Sequence, residues 1–149
     1  MSSPPNDRRV IHGLIRNENS AHRAIMDLRL AGIAGSDLSI VLSANGTGSR
    51  AISWIETLGA IPADRLGAWY FAGPLRLSPD PARGPSLDGA LGRLRLSRAS
   101  MDSLVDQLRQ GSWLIAAHTS EARVIGEARR ILTACGANGV TVCVDANAN

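Results

Sequence analysis

The chain has 149 residues, 44% of them hydrophobic, with a net charge of +3. That is enough chain to bury a core, and the modest charge permits acidic partners without demanding them. All 16 basic residues are Arg, which excludes a lysine Schiff base. No uncharged apolar run approaches the roughly 20 residues a membrane helix needs.

Met1–Asp7 holds two prolines and no apolar core, so residues 1–8 read as a flexible tail and not a signal peptide. Val10-Ile11-His12-Gly13-Leu14-Ile15 predicts a strand over about 9–16. Ala21, Ala24, Leu28 and Ala31 then recur at helical spacing, with Asn19 or Ser20 as cap and Gly32 as stop. Leu38–Leu42 predicts a second strand. A polar, Gly-rich loop follows, then a short helix over about 49–59 that ends at Gly59.

The middle, about 60–98, is the least regular part. Ala68-Trp69-Tyr70-Phe71-Ala72 predicts a strand that Pro74 ends or confines to an edge. Residues 78–85 read as a loop, and Leu87, Leu91 and Leu94 suggest a short helix. A clearer helix spans about 99–110: Met101, Leu104, Val105 and Leu108 form its stripe, Ser100 its cap and Gly111 its stop.

The opening plan then returns. Leu114–Ala117 is the strand, Ile125, Ala128, Leu132 and Cys135 the helix stripe, Gly136 the stop and Val142–Val144 the second strand. The pairs Ile11/Ile115, Ala24/Ala128, Leu28/Leu132, Gly32/Gly136 and Gly35/Gly139 are identical. Two such βαβ units, about 9–43 and 112–146, predict one α+β domain, a ferredoxin-like sandwich. Its sheet would have four antiparallel strands and two helices on one face. The connection, about 44–111, is long enough to carry structure of its own. Residues 147–149 read as a tail.

With this order in hand, the chain resembles a bacterial family, the general stress or heat-induced stress proteins with a βαβ unit at each end. The residues that carry the likeness are Val10–Ile15, the helix through Ala21, Ala24 and Leu28 to Gly32, Ala72-Gly73-Pro74-Leu75, and the helix Met101–Gly111 running into Trp113–Ala117. The resemblance implies a soluble accessory protein and transfers no catalytic residue. In that family the middle is often glycine-rich and apolar with membrane contact; here it contains Arg and Pro, which argues against a membrane role.

Several residue patterns bear on chemistry. Gly46-Thr47-Gly48-Ser49-Arg50-Ala51 fits G-x-G-x-x-A between a strand and a helix, where backbone N–H groups can hold a phosphate. The glycines come late after the strand, and no acid-tipped second strand follows, so a flexible connector competes with a phosphate-bearing ligand. His12 and His118 fall on the two central strands, and alternation puts them on one sheet face with Cys143. They make a metal or acid–base site only if the register brings them together, and no carboxylate joins them. His22 reads as solvent-facing.

The same face carries Val10, Leu14, Val41, Leu114 and Ala116, too apolar to stand open. Either the middle segment covers it, or Val10, His12, Leu14, Val41, Leu114, Ala116 and His118 form an interface with another subunit or a protein partner. Nucleic acid is disfavoured: Arg93, Arg95 and Arg98 lack interleaved aromatics, and the core claims Trp113. Cys135 and Cys143 have no CxxC spacing and read as buried free thiols of a reducing cytoplasm. The reading is therefore a cytoplasmic accessory protein without cofactor or metal, acting by self-association or partner binding. The alternatives are a phosphate-ligand sensor at Gly46–Arg50 and an enzyme using His12 or His118.

Overall fold

A computed structural model describes residues 8–34, 37–43, 61–62, 69–72 and 97–144. In chain order the elements are β1 (Arg9–Ile15), α1 (Glu18–Leu30), β2 (Leu38–Ser43), β3 (Ile61–Pro62), β4 (Trp69–Ala72), α2 (Arg98–Arg109), β5 (Trp113–Thr119), α3 (Ala122–Ala134) and β6 (Asn138–Val144). The fold is α+β and ferredoxin-like. Strands β2, β5, β1 and β6 lie side by side in that order, so the two βαβ units interleave. Their neighbouring pairs are antiparallel.

The long connection extends this plan on one edge and on one face. Strands β4 and β3 add to the free edge of β2 and make the sheet six-stranded. Trp69–Ala72 thus pairs as a strand, and Ala68 lies outside the described residues. The Gly-rich loop, the helix expected over 49–59, the loop at 78–85 and the helix around Leu87–Leu94 lie outside the described residues.

Period-two alternation divides the sheet into two buried faces. Ile11, Ile15, Ile40, Leu42, Trp113, Ile115 and Ala117 point to the face covered by α1 and α3. Helix α1 meets them with Ala21, Ala24, Ile25 and Leu28; α3 uses Val124, Ala128, Ile131 and Leu132. The alanines bring each helix close to the sheet. Each fully buried Ile or Leu then contributes about 1.5–3 kcal/mol. Gly32, Gly111 and Gly136 follow the three helices at φ of 107°, 103° and 84°, a left-handed stop that side chains disfavour.

Two caps sit earlier than the sequence suggests. Helix α1 begins at Glu18, and Asn17, not Asn19 or Ser20, is its cap: Oδ1 accepts from the backbone N–H of Asn19 at 2.8 Å and of Ser20 at 3.2 Å. Helix α2 begins at Arg98, and Ser97 Oγ, not Ser100, accepts from the Ser100 N–H at 3.2 Å. In both runs several capping residues stand together, and the apolar stripe does not say which one leaves the helix. His22 is half-buried rather than solvent-facing, with its ring edge-on to Trp113 at 5.7 Å. Val144, which alternation puts on the same face as the core-packed Val142, is 44% exposed.

Candidate functional site

The second face of the sheet is where the histidines lie. Pairing fixes its rows. Thr141, His12, Ala116 and Ser39 run across β6, β1, β5 and β2; one step along, Cys143, Val10 and His118 form the neighbouring row. Leu14, Leu114 and Val41 continue the face. Helix α2 lies over it and seats Leu104 and Leu108 on Val10, Leu14, Val41, Leu114 and Ala116, with Met101, Val105 and Cys143 packed at the margin. The helix that follows the irregular middle, at the end of the long connection, therefore supplies a cover from within the chain. All seven residues read as a possible interface are buried here, none more than 5% exposed.

His12, His118 and Cys143 do share this face, as alternation requires. Val10 stands between His118 and Cys143 in their row, so the three do not close on one point. Among the described residues no group of three His, Cys, Asp or Glu side chains is placed to hold a metal ion. His118 is 1% exposed, and its Nε2 is hydrogen-bonded to the buried Ser39 Oγ at 2.8 Å. That pair reads as a polar tie between β5 and β2. Both cysteines are half-buried, less enclosed than expected. Burial pushes the Cys135 thiol up.

His12 is different. It is 2% exposed, and its Nε2 is buried with no hydrogen-bond partner among the described residues. Burial first, and the nearby His118 second, lower its imidazole from 6.5 to about 4. The ring is therefore neutral at pH 7, and a buried polar atom without a partner costs about 1–3 kcal/mol. Such an atom in a folded protein calls for a reason.

A cleft of about 380 Å³ adjoins it, between α2 and the β1–β6 edge. Its polar lining is His12 on the floor, Ser100, Ser103 and Gln107 on the helix, and Asn138 and Thr141 on β6. Leu14 and Leu104 supply apolar wall. The local sequence explains the shape. Ser100, Ser103 and Gln107 recur at helical spacing beside the apolar stripe, so they form one polar row along α2. On β6 the pairing with β1 is irregular between His12 and Leu14. Gly139 sits there at φ 65°. Such an irregularity re-aims an edge strand.

The cleft was not anticipated from the sequence, although the polar row on α2 was visible in it. The Gly46, Thr47, Gly48, Ser49 and Arg50 loop lies outside the described residues. No helix among the described residues is long and apolar enough to cross a membrane. Comparison of the chain with family models, curated proteins and solved structures finds no match.

Proposed function

We propose that this chain is a non-enzymatic accessory protein that acts by binding, and that the cleft under α2 takes a small molecule. The observation that carries this is His12, which lines a cleft of ligand size and whose buried Nε2 has no hydrogen-bond partner among the described residues. The other polar groups around it are hydroxyls and carboxamides, which hold and orient a ligand without transferring protons at neutral pH. Helix α2 already covers the apolar face that otherwise favours self-association. Small-molecule binding therefore takes precedence over a second subunit on that face. The sequence resemblance to bacterial stress proteins supports reading this binding role as that of a stress-related accessory protein of the cytoplasm.

The test is a fragment screen on the full chain, uniformly ¹⁵N-labelled, with a library of uncharged small molecules. The expected result is a set of fragments whose shifts cluster at His12, Gly13, Ser103 and Thr141 and vanish in Ser103→Trp, which fills the cleft. A library with no response at the cleft would end this reading.

A further inference from the structure

We infer that the cleft recognises an uncharged amide edge, an N–H beside a C=O as in a lactam or a pyrimidine base, and that the N-terminal half of α2 opens to admit it. This rests on the binding role proposed above and specifies its ligand. Charge comes first. Ser100, Ser103, Gln107, Asn138 and Thr141 are uncharged, and burial keeps His12 neutral. Among the described residues the lining offers a charged ligand no countercharge for the hydration it would shed, which is costly.

Complementarity comes next. Gln107 on α2 and Asn138 on β6 both line the cleft; each carboxamide carries donors and an acceptor, and Gln107 Nε2 gives one of its hydrogens to Ser103 Oγ at 3.4 Å. An amide edge offers the same two functions in return. Nε2 of His12 takes either role according to its tautomer, so it can meet the N–H or the C=O. At about 380 Å³ the cleft lies at the small end of ligand sites and suits a single ring system.

Access follows from a gradient of burial along α2. Leu108 is 0% exposed, Leu104 7%, Met101 half-buried, and Ser97–Ser100 exposed. The C-terminal end is also tied by backbone: the N–H of Ser112 donates to the Gln107 carbonyl at 3.1 Å. Ala99, Ser100 and Ser103, toward the less buried end, line the cleft. Lifting that end would widen the cleft beside His12 while Leu108 keeps its seat.

The experiment titrates uracil, and separately 1,3-dimethyluracil, into the full ¹⁵N-labelled chain while following the His12 ring nitrogens and the Ser100 and Ser103 amides. Dimethylation keeps the ring and both carbonyls and removes every N–H. Uracil should shift the His12 Nε2 resonance and both amides; dimethyluracil should not. Gln107→Leu should weaken uracil about five- to tenfold, the loss of one hydrogen bond. Equal responses to the two compounds, or none to uracil, overturn the amide edge. If other uncharged fragments still bind at the cleft, only the ligand class has failed. If none does, the binding role has failed with it.

Discussion

Acid should destabilise this protein through His12, by an amount the structure fixes. The imidazole is held at about 4 in the folded chain against an ordinary 6.5. Between these values the unfolded chain binds the proton and the folded chain resists it, so stability is full above pH 6.5. It falls as pH drops through this window and levels off below about 4. The gap corresponds to about 3 kcal/mol, of which about 2.5 kcal/mol is lost by pH 4.5. That is a large fraction of the 5–15 kcal/mol typical of a domain. Carboxylates titrate in the same range, so the comparison is with His12→Leu, a side chain of similar size that cannot titrate. His118 and Cys143 share the sheet face with His12, and on α2 the charged Asp102, Asp106 and Arg109 are exposed. Both proteins keep these groups. Urea unfolding of each at pH 7.5, 5.5 and 4.5 gives the difference directly. Wild type should lose about 2.5 kcal/mol more than the variant between the first and last pH. Parallel losses would falsify the burial of a neutral ring at this position.

Three further outcomes follow from the packing. In Gly13→Ala the new Cβ would lie 3.0 Å from Ala137 Cβ and 3.3 Å from Val140 Cγ2. Ala137 cannot rotate away, so urea unfolding should show a loss of about 1–2 kcal/mol; a neutral result would mean the Ala137–Val140 segment yields freely. Ser39→Ala removes the buried 2.8 Å bond to His118 and should cost about 1–3 kcal/mol by the same assay, with an unchanged midpoint as the contrary result. Leu108→Ala empties the best-buried seat of α2 and should cost about 3 kcal/mol. A loss under about 1 kcal/mol would show that α2 is not anchored there.

Sequence legibility tracked how local the determining physics is. Strand alternation put His12, His118 and Cys143 on one face, because it depends on a period that a chain carries within itself, and the strand–helix–strand order at both ends put β1 beside β5. The apolar stripe Met101–Leu108 was legible as a helix. Its role as cover was left open between the chain and a partner, since the stripe names no target surface. The cleft was not read because it is made by three distant segments: the polar row of α2, His12 on β1, and an irregularity that turns Asn138 and Thr141 of β6 toward it. The missing partner of Nε2 is likewise invisible in a sequence, where any histidine has donors and acceptors nearby in number.

Helix α2 closes the sheet face and also walls the cleft, and these two tasks oppose each other. If the ligand enters by the proposed lifting of the Met101 end of the helix, its affinity is reduced by whatever holds that end down. Met101 is half-buried, and its contacts at the margin of the cluster are part of that hold. Removing them should therefore move stability and binding in opposite directions. Met101→Ala should lower unfolding stability by about 1 kcal/mol, less than Leu108→Ala, because a half-buried side chain gives up less transfer energy and leaves a smaller void. The same change makes the open helix cheaper to reach and should tighten uracil by up to about fivefold. Amide hydrogen exchange supplies the third reading: Ser100–Leu104 should exchange faster in the variant while Gln107–Arg109 stays protected. A variant that loses stability and affinity together would place Met101 in a fixed wall, and α2 would then be a rigid cover, not a hinged one.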